Sequence, residues 1–75
     1  METKIAQFVK YRRKLAGYTQ KDLSEKSGVG LRFIRELEQG KKTLRLDKVN
    51  EVLRMFGHEV GVVKTTFTEE DDDDL

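Results

Sequence analysis

Apolar residues recur with a helical period as far as Gly57. They return every three or four positions, so that they share one side of a helix. Four helices are predicted on this basis, over residues 4–16, 20–27, 31–39 and 47–56. The apolar stripe of the first contains Ile5, Phe8, Val9, Leu15 and Ala16, and that of the fourth contains Leu46, Val49, Val52, Leu53 and Phe56. A glycine follows each helix, at Gly17, Gly28, Gly40 and Gly57, as is typical of helix C-termini.

The two short helices in the middle are separated by only Gly28, Val29 and Gly30. Thr19 followed by Asp22 forms a capping-box pattern at the start of the second helix. A turn this short makes the two helices cross steeply and buries Val29 between them. On the third helix, Ile34, Leu37 and Glu38 share the inward side, while the opposite side holds Arg32, Arg35, Glu36 and Gln39. The segment therefore has the geometry of a helix-turn-helix.

Beyond Gly57 the pattern becomes that of a strand. Residues 59–65 are rich in β-branched side chains and predict the only strand of the chain. A lone strand leaves its backbone N–H and C=O groups unpaired, so a second copy of the protein is expected to supply the partner strand. The expected dimer contacts are Glu59, Val60, Gly61, Val62 and Val63.

The charges are segregated along the chain. All 15 Lys and Arg residues lie at or before Lys64, and six of the 14 acids lie in residues 69–74, so the first 68 residues carry 15 − 8 = +7 and the tail carries −6. A basic module of this size predicts a polyanionic partner such as nucleic acid. The acidic tail, residues 68–75, is predicted to be disordered. It is interpreted as a solvated terminus, a contact for a basic partner, or a competitor of DNA for the protein's own basic surface.

Several classes of function are disfavoured by what the sequence lacks. It has no cysteine, no nucleophile–base pair, no paired carboxylates and no metal-ligand spacing, and His58 is its single histidine. We therefore expect no enzyme activity, catalytic residue, cofactor, metal site or small-molecule substrate. No apolar run reaches the roughly 20 residues of a membrane span, and no signal peptide is recognised, so we expect no membrane contact and a cytoplasmic location.

A helix-turn-helix places its second helix in the major groove of DNA. Arg side chains on that helix can bond guanine bidentately, the backbone can approach closely at Gly30, and Leu31 can touch a thymine methyl. Four of the expected base-reading residues are thus Gly30, Leu31, Arg32 and Arg35. The expected phosphate contacts are Thr19, Gln20, Lys21, Lys41, Lys42 and Thr43. Phe33 is interpreted as packing beside helix four or against DNA, and Met55 as a surface residue or a dimer contact.

The stretch YTQKDLSEKSGVGLRFIRELEQGK, residues 18–41, resembles the signature of the phage-repressor-like (Cro or XRE-type) helix-turn-helix family. The resemblance covers about residues 5–57. It implies an all-α bundle of four helices that binds double-stranded operator DNA, usually as a two-fold dimer. The positions at which members of the family touch DNA correspond here to Gln20, Gly30, Leu31, Arg32, Arg35 and Glu36.

The same family pairs an inward glutamate, here Glu38, with an arginine of helix one that aligns with Arg13. The resemblance thus implies a structural Arg13–Glu38 ion pair, which also answers the need of an inward acid for a partner. Two positions depart from the family. Arg12 stands where an apolar residue is usual and is expected to snorkel. Leu44 and Arg45 replace the usual proline and small N-cap, which leaves the start of helix four open.

Residues 44–63, LRLDKVNEVLRMFGHEVGVV, are similar to HipB-type antitoxins. That similarity implies a strand that forms an intermolecular sheet, repression of the protein's own operon, and binding of a HipA-like kinase toxin. The alternative is a stand-alone phage-type or chromosomal repressor without a toxin. The expected organisation is a DNA-binding domain over residues 1–57, a dimerisation strand over 58–67 and the acidic tail. We expect a bacterial cytoplasmic protein that is associated with the nucleoid when bound to its operator.

Overall fold

Four α-helices make up the fold of residues 3–64, the part of the chain that the computed structural model describes. They are α1 (Lys4–Leu15), α2 (Gln20–Ser27), α3 (Leu31–Glu38) and α4 (Leu46–Arg54). The predicted all-α fold of four helices is confirmed, and the bounds of α2 are those predicted. None of these helices is long and apolar enough to cross a bilayer.

The caps explain where α2 begins and ends. The predicted capping box is present: the Thr19 N–H donates to Oδ2 of Asp22 at 2.9 Å, and the Asp22 N–H donates to Oγ1 of Thr19 at 3.0 Å. The helix ends at Gly28, whose φ of +79° lies in the left-handed region that side chains disfavour. The Ser24 hydroxyl then donates to the carbonyl of Val29 at 2.6 Å. These bonds fix the turn into α3.

The core is formed by the inward sides of all four helices and by the turn between α2 and α3. Its buried apolar residues are Ala6, Val9, Leu23, Val29, Ile34, Leu37, Val49, Val52, Leu53 and Phe56. Val29 is buried between α2 and α3, as predicted for so short a turn. Ala6 was missed by the apolar pattern, since a small side chain gives a weak signal, yet it is fully buried.

The prediction that two leucines of the apolar stripes belong to the core is wrong. Leu15 is 68% exposed and Leu46 is 58% exposed. Leu15 is the last residue of α1 and Leu46 is the first of α4, so neighbouring helices do not cover them. Ala16, also assigned to the stripe of α1, is an exposed C-cap residue.

The structure shows where α4 begins, which the sequence left open. Arg45 is the N-cap residue in extended backbone, and its side chain makes no capping bond. Instead its guanidinium pairs with the Asp47 carboxylate at 2.7 Å, and this hydrogen bond lowers the pKa of Asp47 below its ordinary value of 3.8. The helix therefore begins at Leu46, with an acid in its first turn.

Arg12 and Phe33 both pack against ring or core surface. The Arg12 guanidinium lies 5.5 Å from the ring centroid of Phe8 and 5.4 Å from that of Phe56, so its charge rests on aromatic faces. Phe33 packs against the core, with Lys48 of α4 at 6.0 Å from its ring. This favours the interpretation of Phe33 as a residue packed beside α4.

Met55, the other residue with two interpretations, is partly buried and packs against the core.

The predicted C-terminal strand is not present in the described residues. Residues 58–64 contain no strand, and the Val60 N–H donates at 2.8 Å to the side-chain oxygen of Asn50 on α4. A strand exists only through its pairing, and residues 3–64 contain no second strand with which it could pair. The remainder of the predicted strand and the acidic tail lie outside the described residues.

Candidate nucleic-acid interface

The start of α2 and the exposed side of α3 line one open cleft. It has a volume of about 590 Å³ and is lined by Arg13, Gly17, Tyr18, Thr19, Gln20, Lys21, Leu31 and Arg35.

This cleft brings three predicted phosphate contacts, Thr19, Gln20 and Lys21, beside two predicted base-reading residues, Leu31 and Arg35.

The outer side of α3 is cationic and open to solvent. Ile34 and Leu37 hold the helix on the core, at 0% and 2% exposure. On the other side the Arg32 side chain is 92% exposed. Arg35 is also exposed, and within residues 3–64 its guanidinium has no hydrogen bond or ion pair. Residues 3–64 therefore leave the space beside this side of α3 unfilled.

Glu36 links α3 to the loop that follows it. Its carboxylate lies 3.5 Å from Nε of Arg32 and 3.5 Å from Nζ of Lys41. The Lys41 N–H also donates to the Glu36 carbonyl at 3.1 Å, which holds this lysine close to the end of α3. Exposed ion pairs contribute only about 0–1 kcal/mol, so Arg32 and Lys41 can exchange this carboxylate for another anion at small cost.

Lys42 and Thr43 lie apart from the cleft. Lys42 lines a different groove, which it shares with Lys41, Leu44 and Leu46. Thr43 is exposed in the same loop. The structure thus places Lys41 next to α3 but does not bring Lys42 or Thr43 into the cleft with Lys21.

A nearly buried ion pair fixes α3 against α1. Nε of Arg13 lies 2.6 Å from Oε2 of Glu38, and its Nη2 lies 3.0 Å from Oε1. The two side chains are 12% and 2% exposed. Arg13 also donates to the Tyr18 carbonyl at 2.9 Å. The ion pair implied by the family resemblance is present in the structure.

Gln20 belongs to the same network, which the sequence did not indicate. Its amide Nε2 donates to Oε1 of Glu38 at 3.1 Å, so the first residue of α2 is tied to the end of α3. Among residues 3–64, no buried side-chain nitrogen or oxygen lacks a hydrogen-bond partner. The network is therefore satisfied, and it holds three helices in one arrangement.

The N-terminus of α2 opens towards the cleft. Gln20 and Lys21 are its first two residues, so their N–H groups have no carbonyl partner within the helix. The pKa of the Asp22 carboxyl is lowered below its ordinary value of 3.8. The main cause is the hydrogen bond from the backbone N–H of Thr19, and the Thr19 side chain makes the second largest contribution. An anion at this end of α2 would meet both free N–H groups and the positive end of the helix dipole.

The predicted dimer residues lie in another part of the molecule's surface. Val60 and Gly61 line an apolar groove of about 340 Å³ together with Ile5, Phe8 and Leu53. Val62 and Val63 are 104% and 83% exposed. No group of three or more His, Cys, Asp or Glu side chains within residues 3–64 could hold a metal ion.

Comparison with known proteins agrees with this architecture. Residues 9–60 match the helix-turn-helix family. Over 59 residues the chain is 39% identical to an uncharacterized HTH-type transcriptional regulator, y4mF, of Sinorhizobium fredii (strain NBRC 101917 / NGR234), and the alignment covers 79% of this chain and 78% of that protein. The chain therefore belongs to the helix-turn-helix family.

Proposed function

We propose that this protein is a transcriptional repressor that binds operator DNA sequence-specifically as a homodimer. The family and the regulator to which it is similar support DNA binding and transcription regulation. The observation that carries the proposal is the exposed cationic side of α3 beside the open N-terminus of α2. Those two elements are the ones that a helix-turn-helix applies to base edges and to the sugar-phosphate backbone.

Base reading falls to α3 in this proposal. Arg32 and Arg35 project from the exposed side and can bond guanine O6 and N7. Glu36 lies on the same side and can accept from the amino group of cytosine. Gly30 and Leu31 stand at the start of the helix, where the backbone comes closest to the bases.

Phosphate binding falls to the start of α2 and the loop after α3. The free N–H groups of Gln20 and Lys21 suit one phosphate, with Thr19 beside them. Lys41 suits another phosphate near the end of α3. The exposed Lys42 and Thr43 would contact neighbouring phosphates of the same DNA strand. Such contacts position α3 without reading sequence.

Dimerisation through residues 59–63 is the second part of the proposal. Val62 and Val63 are apolar and almost wholly exposed in the single subunit. Burying a valine side chain stabilises by roughly 1.5 kcal/mol or more. Pairing with a second copy would also supply hydrogen bonds for backbone groups of this segment other than the Val60 N–H, which already bonds Asn50. Two copies of α3 would then enter successive major grooves about 34 Å apart. The proposed organisation is a DNA-binding domain over 1–57, a dimerisation segment over 58–67 and an acidic tail over 68–75.

The finer assignment is a cytoplasmic HipB-like antitoxin that represses its own operon and binds a HipA-like kinase toxin. Its support is the similarity of residues 44–63 to such proteins. A stand-alone repressor without a toxin is the alternative. Co-purification from the native operon separates the two, because a kinase that elutes with the protein in equal amounts supports the antitoxin and its absence supports the alternative.

The test of DNA binding is footprinting on the DNA upstream of the gene, combined with affinity measurements on that DNA and on a scrambled sequence of equal composition. We expect a two-fold symmetric footprint and an affinity about 10³-fold or more above that for the scrambled DNA. Arg35→Ala should reduce this preference. Arg54→Ala is the matched control, because Arg54 is an exposed cation of α4 that pairs with Glu51 and does not line the cleft. Equal affinity for both DNA sequences would refute sequence-specific binding.

A further inference from the structure

The cations beside α3 are only partly neutralised by the fold. We define the basic face as Lys21, Arg32, Arg35 and Lys41. Within residues 3–64, Glu36 forms ion pairs with this face and the Asp22 carboxylate interacts electrostatically with Lys21, so the net charge of these six groups is 4 − 2 = +2. The Arg35 guanidinium has no partner within residues 3–64, and the Arg32 side chain is 92% exposed.

Most acids of the folded part are engaged elsewhere. Asp22 caps α2, Glu38 is buried with Arg13, Asp47 pairs with Arg45, and Glu51 pairs with Arg54. The longest run of carboxylates in the sequence is the six of residues 69–74, which lie outside the described residues.

We propose that residues 69–74 bind the basic face of the same chain and compete there with DNA phosphates. The competition with DNA rests on the proposed function, whereas the contact itself does not. Six consecutive acids in an extended chain place one charge about every 3.3–3.6 Å. One DNA strand carries a phosphate about every 3.4 Å, so the tail has a similar linear charge density. Carboxylates also accept the bidentate Arg hydrogen bonds that phosphates accept.

The length of the chain limits where the tail can bind. Asp74 lies ten positions after Lys64, which corresponds to a reach of roughly 33–36 Å. The proposed contact therefore requires the basic face to lie within that distance of Lys64. A segment tethered within reach acts at an effective concentration of the order of millimolar.

Competition within one chain lowers the affinity for every DNA sequence by the same factor. Both specific and non-specific DNA must displace the tail, so the ratio of the two affinities does not change. The tail would thus reduce occupation of non-specific sites without altering which sequence is preferred.

The test compares the full chain with a variant of equal length in which Glu69 and Glu70 are changed to Gln and Asp71, Asp72, Asp73 and Asp74 are changed to Asn. In about 0.1 M salt we expect the neutral-tail variant to bind both operator and scrambled DNA about 3- to 10-fold more tightly. Its affinity should also fall more steeply with salt, because DNA then displaces counterions rather than the tail. Equal affinities at low salt would overturn the proposal.

A measurement without DNA distinguishes direct contact between the tail and the basic face from long-range repulsion between the tail and DNA. Zero-length carbodiimide coupling joins carboxylates only to amines with which they are in contact. We expect couplings from residues 69–74 to Lys21 and Lys41. Lys4 is the internal control, since it lines the groove that Val63 also lines and thus lies near the base of the tail. Couplings confined to Lys4 would overturn the proposal even if the affinity for DNA had changed.

The two proposals fail in different ways. If neither protein binds DNA but Lys21 and Lys41 couple to the tail, the proposed function fails and the tail contact stands. If both proteins bind DNA equally and no such coupling forms, the tail contact fails and the proposed function stands.

Discussion

Arg13 of α1 and Glu38 at the end of α3 form a bidentate ion pair across 25 positions of sequence. The pair fixes how α3 leans on α1, and Gln20 extends it to α2. The orientation of the helix that we propose for base reading is thus set by buried charge as well as by the apolar core. Removing one partner would leave the other charge without compensation.

Arg13→Ala is expected to lower the free energy of unfolding by about 3–5 kcal/mol, because Glu38 would stay buried without its partner. A domain of this size has a total stability of only about 3–9 kcal/mol, so the variant should be near its unfolding limit. Urea denaturation followed by circular dichroism measures the change. Lys14→Ala, an exposed change on the same helix, should stay within about 0.5 kcal/mol of the original protein. A similarly small effect of Arg13→Ala would contradict the structural role of the pair.

Arg32→Ala and Lys41→Ala form a matched pair, because each removes a cation that lies 3.5 Å from Glu36. Loss of Arg32 should cost about 1–3 kcal/mol of discrimination between operator and altered sequences. Loss of Lys41 should weaken binding to all sequences alike and reduce the salt slope by about one. Affinity measurements on operator and scrambled DNA at several salt concentrations separate the two effects. If both variants lose affinity equally on every sequence, the assigned roles are wrong.

The capping box makes the free energy of unfolding depend on pH. Its hydrogen bonds lower the pKa of Asp22 in the folded state, so the folded state favours the ionised form. This contribution is present above the ordinary value of 3.8 and is lost as the pH falls through the lower folded value. The free energy of unfolding should therefore decline below about pH 4, and Asp22→Asn should make that decline shallower. Thermal melts of both proteins between about pH 2 and 5 measure this difference, and identical slopes would contradict it.

Gly61→Pro tests dimerisation through residues 59–63. A Cβ added at Gly61 meets no atom within 4 Å, so a side chain at this position has room at its first carbon. Proline removes the backbone N–H that an intermolecular sheet would use, and we expect monomers. Gly61→Ala keeps that N–H and should remain dimeric. Sedimentation or light scattering at matched concentrations gives the result, and a dimer that survives Gly61→Pro would reject the shared sheet.

The helices were predictable because local signals agreed with one another. Thr19 and Asp22 marked the start of α2, Gly28 marked its end, and the short turn required Val29 to be buried. The partner of Glu38 was not predictable from periodicity, since nothing local links two residues 25 positions apart. It came from the resemblance to a family.

The incorrect predictions concern features that depend on tertiary surroundings. Leu15 and Leu46 follow the helical period, but exposure at helix ends depends on what lies beside them. The bond from the Gln20 amide to Glu38 was missed because it joins two helices, while the phosphate contact of Gln20 stays a prediction. The strand after Gly57 depends on a partner strand that residues 3–64 do not contain.

The three-residue connection between α2 and α3 has a mechanical consequence. With Val29 buried and Gln20 bonded to Glu38, the two helices cannot adjust their spacing separately. If α2 holds a phosphate and α3 reads a base as proposed, the protein keeps the distance between these two contacts nearly constant. Misfit would have to be absorbed by the duplex, so the flexibility of the operator should influence affinity even at base pairs that no side chain touches.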